Sequence, residues 1–176
     1  MTALRGAALA ALVCAAVVAQ AVVFRYVAID GVVPDIALVL VVVAAIDRGP
    51  QFGAVLGFVA GLLVDLAPPA DHIAGRWALA LVVVGYLAGR VREDARSSAL
   101  GAVLVVGAAS FVGTSLYALS GAVLGDGALA VDQTLRVIVT SVLWDVMLAP
   151  LLVPLLLRAF DGLGGDPTPV RSRVLH

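Results

Sequence analysis

Residues 34–66 read PDIALVLVVVAAIDRGPQFGAVLGFVAGLLVDL, and the architecture turns on them. Every residue from Ile36 to Ile46 is apolar, and Asp47-Arg48-Gly49-Pro50 then breaks the run. A second apolar run follows, carrying Gly53, Gly57 and Gly61 at steps of four, with Asp65 one step further on. Two apolar runs joined by a tight polar turn read as a helical hairpin without the polar stripe that a water-facing helix carries. The hairpin therefore belongs in lipid. Ile36 to Ile46 would rise only about 16 Å as a helix. That helix must borrow flanking residues or be sheltered by its neighbours.

The rest of the chain agrees with this reading. Of its 176 residues 62% are apolar, and the 18 glycines bring the share to about 72%, against about 45–50% for a soluble chain counted the same way. Charged residues make up 13%, about half the ordinary share of about 25%. With a mean hydropathy of +1.12, too little polar surface exists to cover a water-soluble domain. At about 20 residues per crossing, six helices need about 120 residues. The sequence thus predicts an all-α membrane protein whose residues 1–158 form a six-helix domain. Its spans fall at about 6–24, 28–46, 51–66, 73–89, 98–124 and 137–157, and a flexible tail covers 159–176.

Arginine placement sets the orientation, because cytoplasmic segments hold the excess of positive charge. With the N-terminus inside, Arg5, Arg48, Arg90, Arg92, Arg96, Arg158, Arg171 and Arg173 are cytoplasmic, leaving Arg25, Arg76 and Arg136 outside. Both termini are then cytoplasmic. A rival reading takes Arg5, the first apolar run and Ala19-Gln20-Ala21 as a cleaved secretory signal. That run is longer than a usual signal core, and a single basic residue precedes it.

Composition also excludes several chemistries. All 11 basic residues are arginine, so neither a Walker-type phosphate loop nor a lysine Schiff base is available. Cys14 is the sole cysteine, and the two histidines, His72 and His176, lie in a loop and at the last residue. No metal or cofactor site is expected from these residues, and nothing points to nucleic acid. Ala118-Leu119-Ser120-Gly121 resembles an intramembrane serine protease site, but no intramembrane histidine activates the serine. Asp65 and Asp145 could in principle do acid–base work, but no further motif supports them. No catalytic residue is assigned, and the chain is not expected to be an enzyme.

Several residues need a physical reason. Gly53, Gly57 and Gly61 form one shallow ridge that lets another helix approach closely, the usual means of association in lipid. Two occupants fit this groove: another span of the same chain, or the helix of a partner. Asp35 after Pro34 reads as a helix cap. Asp65 reads as a boundary residue held by an arginine, with Arg76 and Arg136 on the same side. Asp145 lies within the last apolar run, where a carboxylate costs a few kcal/mol and faces the bundle interior. Ser110, Thr114, Thr140 and Ser141 are its candidate partners. Arg48 anchors the first cytoplasmic turn, and Arg90, Arg92 and Arg96 form a loop attracted to anionic lipid or to a cytoplasmic protein.

The order of these features resembles the rod-shape-determining MreD family. The matching segments are Val33-Pro34-Asp35, the Asp47-Arg48-Gly49 turn, the glycine-stepped run from Gly53 to Leu66, and Gly75-Arg76-Trp77-Ala78-Leu79. Gly85-Tyr86-Leu87-Ala88-Gly89-Arg90 and the closing segment from Leu143-Trp144-Asp145 to Pro154 continue the match. Where that family often carries asparagine, this chain has Asp145. The resemblance implies a non-catalytic component of the cell-elongation machinery in the bacterial inner membrane. Its partners would be a single-span MreC-like protein and, indirectly, MreB and the peptidoglycan synthases, within membrane lipid; self-association stays open. The resemblance also implies a fold similar to the S-component bundle of energy-coupling factor transporters. The alternative function is therefore a small-molecule-binding transporter subunit, gripping a cationic ligand with Asp35, Asp65 and Asp145.

Overall fold

In the computed structural model, residues 2–23, 26, 28, 31–68, 73–125 and 130–163 are described, and among them the chain forms helices and no strand. Seven helices follow in order. They are α1 (Thr2–Val22), α2 (Ile36–Arg48), α3 (Pro50–Leu66), α4 (Arg76–Arg90), α5 (Arg92–Ser97), α6 (Ala99–Leu124) and α7 (Val131–Leu163). Pro69, Arg25, His72, Arg171, Arg173, His176 and the tail from 164 onward lie outside the described residues.

The chain around α2 explains the architecture. Pro34 disfavours helical backbone at Val33, and the Asp35 side chain caps the first turn, so α2 starts at Ile36 and not near residue 28. It ends where Gly49, at φ 96°, sends its N–H back to the Ala45 carbonyl at 2.8 Å. Pro50 then opens α3 at the first helical position, where its missing N–H costs nothing. The resulting α2 is about 20 Å long, against about 39 Å for α6 and about 50 Å for α7. A helix this short does not borrow length. It is sheltered: from Ile36 to Ile46 no residue is more than 7% exposed, and α2 packs against every other helix. Non-helical residues 31–35 lead into it, passing from exposed Gly31 to buried Pro34 and Asp35. Irregular backbone of this kind is tolerated inside a bundle because protein surrounds it.

Packing of α3 brings the first of the two occupants, a span of the same chain, into the groove. The Gly53, Gly57, Gly61 ridge does not wait for a partner's helix, because α4 of the same chain fills it. A Cβ on Gly53 would strike the Gly85 carbonyl, one on Gly57 the Leu81 carbonyl, and one on Gly61 the Ala78 Cα. Reciprocally, a Cβ on Gly85 would meet the Gly53 carbonyl, and one on Gly89 would meet Pro50. The two backbones touch along their length, which gives α3 and α4 a seam of dispersion contacts that no larger residue allows.

Two further differences from the sequence reading concern boundaries. The segment carrying Arg92 and Arg96 contains a helix of its own, α5, anchored by buried Ala95. The last helix begins at Val131 rather than near 137 and continues to Leu163, beyond the expected start of the tail. Asp132, Gln133 and Arg136 read as loop because they are polar, but polarity does not stop a helix. Pro150 and Pro154 lie inside this helix, each removing one intrahelical donor.

The outward surface is oily. Val139, Leu143, Met147, Leu151 and Leu155 form an exposed ridge at steps of four along α7, while Ile138, Ser141, Asp145, Ala149, Val153, Leu156 and Phe160 line its buried side. Both α6 and α7 are long and apolar enough to cross a membrane.

Candidate functional site

Burying a helix start is costly, because its first amides have no intrahelical acceptor. α2 starts deep in the bundle: Asp145 lies about 21 Å along α7 from Val131, and Ser110 lies about 21 Å along α6 from Leu124. Three side chains answer this need. The Asp35 N–H donates to Asp145 Oδ1 at 2.8 Å, the Ala37 N–H to Gln20 Oε1 at 3.1 Å, and the Leu38 N–H to Asp35 Oδ1 at 2.9 Å. Ser110 Oγ donates to Asp145 Oδ2 at 2.6 Å. This polar knot joins α1, α2, α6 and α7. Asp145 is 1% exposed and Ser110 is fully buried, so both bonds form away from water, where an acceptor's loss is most costly. The positive end of the α2 dipole also favours carboxylates here. Asp35 Oδ2 is buried with no hydrogen-bond partner.

A second knot holds the start of α4. Gly75 caps it with φ 100°, a left-handed conformation that glycine adopts without strain. Asp65, at the end of α3, accepts from the Gly75, Trp77 and Ala78 N–H groups at 2.8, 3.1 and 3.1 Å. These backbone partners of Asp65 are not legible in the sequence. Beside it Arg76, 7% exposed, donates from Nη2 to the Tyr117 carbonyl at 2.7 Å and lies 3.9 Å over the Tyr117 ring. Trp77 stacks on the same Tyr117 ring, with the two centroids 4.6 Å apart. A Cβ on Gly121 would run into the Arg76 guanidinium.

At the opposite end of the bundle, Arg96 Nη2 donates to both the carbonyl and Oδ1 of Asp47, each at 2.9 Å. Arg48 Nε sits 3.6 Å from Asp47 Oδ2, with its guanidinium over the Phe52 and Phe160 rings at 4.9 and 5.8 Å. Arg92 lies against Gly49, and Arg90 is exposed at the end of α4.

The structure thus brings Asp35 and Asp145 together and places Asp65 in a separate knot. Arg48 and Arg96 converge on Asp47, which the sequence reading left without a role. Of Asp145's candidate partners, Ser110 is the one bonded to it. Gln20 was also left without a role, although it is the one amide within the first apolar run. All three carboxylates act as acceptors for backbone amides, the work of struts. Ser120 Oγ donates to the Tyr117 carbonyl at 2.8 Å, an ST-type bond and not that of an activated nucleophile. No group of three His, Cys, Asp or Glu suited to a metal occurs among the described residues. A cavity of about 340 Å³ lies away from these knots, lined by Val32, Asp132, Gln133, Arg136, Val137 and Thr140.

Comparison with known proteins adds one finding. The family model described as rod shape-determining protein MreD matches residues 2–160. No curated protein and no solved structure matches the chain.

Proposed function

Because the chain belongs to the MreD family of rod shape-determining membrane proteins, we propose that it is a non-catalytic scaffold of the bacterial cell-elongation machinery. In this reading α1, α2 with its lead-in, α3, α4, α6 and α7 make six crossings of the cytoplasmic membrane, both termini are cytoplasmic, and α5 lies at the inner surface. The chain docks a single-span MreC-like protein through its outward apolar faces, and so connects to MreB and the peptidoglycan synthases.

One observation carries the choice of scaffold over transporter. The three carboxylates of the bundle interior that could grip a cationic ligand each accept backbone amides: Asp145 and Asp35 at the start of α2, and Asp65 at the start of α4. A carrier needs polar groups free to meet its cargo. A scaffold needs a rigid body with apolar faces left over, and the ridge from Val139 to Leu155 is such a face.

Depleting the chain from a rod-shaped host tests this reading. Cells should round up, and re-expression should restore rods. Cells that keep their shape but lose uptake of a small molecule would overturn the scaffold reading in favour of the S-component-like alternative.

A further inference from the structure

The cavity beside the first turns of α7 has a lining unlike the rest of the surface. Asp132, Arg136 and Thr140 stand at steps of four, so they share one ridge of the helix, with Gln133 and Val137 beside them and Val32 of the lead-in segment closing the other wall. Opposite charges at this spacing ordinarily pair across a helix turn. Here they do not. None of the four polar side chains has a hydrogen bond or ion pair with another described residue. A carboxylate, a guanidinium, an amide and a hydroxyl are therefore left to line a space of about 340 Å³, within the range of small-ligand pockets at about 300–1,000 Å³. The site lies where α7 changes from charged to predominantly apolar residues, at Arg136-Val137, the level at which a membrane helix meets lipid headgroups.

We propose that this cavity binds a phosphoethanolamine group, its phosphate on Arg136 and its ammonium on Asp132. A guanidinium presents forked donors that match phosphate oxygens two at a time. The carboxylate one turn away sets the selectivity. A purely anionic headgroup would leave Asp132 facing like charge, and a purely cationic one would do the same to Arg136. A zwitterion satisfies both, and the primary ammonium of ethanolamine, unlike the quaternary one of choline, also donates hydrogen bonds to the carboxylate, with Gln133 and Thr140 within the same lining to take ester oxygens. The group has two sources, a membrane phosphatidylethanolamine or a free phosphoethanolamine. This site is independent of the scaffold reading and of any partner chain.

The test places the full-length protein in nanodiscs of phosphatidylethanolamine, phosphatidylglycerol and phosphatidylcholine in equal parts and reads retained lipid by native mass spectrometry. One phosphatidylethanolamine should stay bound in preference to the other two. Arg136→Gln should reduce its retention about tenfold, the worth of a charged hydrogen bond, and Asp132→Asn should raise phosphatidylglycerol to parity. Both residues are exposed, so circular dichroism and monodispersity should be unchanged. If Arg136→Gln does not stay monodisperse, Arg136→Lys, which keeps the charge and loses the fork, should still weaken retention. Displacement of the lipid by millimolar phosphoethanolamine would support recognition of the headgroup alone. Arg136-dependent retention without displacement would support the membrane lipid as the source. Equal retention of phosphatidylglycerol by the unchanged protein, or retention indifferent to Arg136→Gln and Arg136→Lys, would overturn the proposal.

Discussion

Asp145 and Asp65 are both buried carboxylates, but their partners differ, and so should their tolerance of an amide. Asp145 accepts from one backbone N–H and from the Ser110 hydroxyl. Asparagine keeps an oxygen for the Asp35 N–H and offers its NH₂ to Ser110 Oγ, which accepts as readily as it donates. Asp145→Asn should therefore unfold within about 1 kcal/mol of the native protein, whereas Asp145→Ala, which strands the Asp35 amide, should lose about 1–3 kcal/mol. Asp65 accepts from three N–H groups across both oxygens. An NH₂ in that position faces at least one donor with another, so Asp65→Asn should cost about 1–3 kcal/mol or more. Thermal unfolding in detergent ranks the three variants, and equal effects of the two asparagines would remove the distinction. Part of this was legible beforehand. Pro34-Asp35 ahead of an aliphatic run is a cap in any context, and Ser110 stood among four candidates for Asp145. The bond from Asp145 to the Asp35 amide was not legible, because it depends on α2 beginning at depth, which no local pattern encodes.

At the scale of the helix pair, the glycine ridge was readable but its occupant was not. Spacing of four makes a groove whatever fills it, and only the tertiary arrangement puts the α4 backbone there. This moves the expected consequence of a substitution from binding to folding. Gly57→Ala should already destabilise the chain by about 1–3 kcal/mol, the range for overpacking, and Gly57→Leu should prevent recovery of a monodisperse monomer. Phe58→Ala, one residue along and 51% exposed, should leave elution and unfolding in detergent nearly unchanged. Size-exclusion profiles of the three decide the matter; a monodisperse Gly57→Leu protein would put the seam elsewhere. The extension of α7 to Val131 escaped sequence reading for a related reason. Arg136 ends the polar stretch before the last apolar run, and a change of polarity does not mark a helix start, so α7 runs on through it.

For the whole molecule, the class of the fold followed from composition, since so apolar a chain can cover itself only with lipid. The central position of α2 followed in part from its shortness: eleven aliphatic residues cannot cross alone, and their near-complete burial is the consequence. Orientation rests on the arginines. On a Cys14→Ser background, a single cysteine replacing exposed Ser97 should react with an impermeant maleimide only after the membrane is opened. One replacing Val131, 77% exposed at the other end, should react on cells with the cytoplasmic membrane intact. Reversed labelling would invert the topology. On the scaffold reading, the interior of this bundle holds helices and its exterior holds a partner. Mild solubilisation of native membranes followed by affinity isolation and mass spectrometry measures this most directly. The account predicts a single-span MreC-family chain recovered with the protein and no tightly bound small molecule carried in the bundle interior; the protein recovered without that chain and holding such a cargo would contradict it.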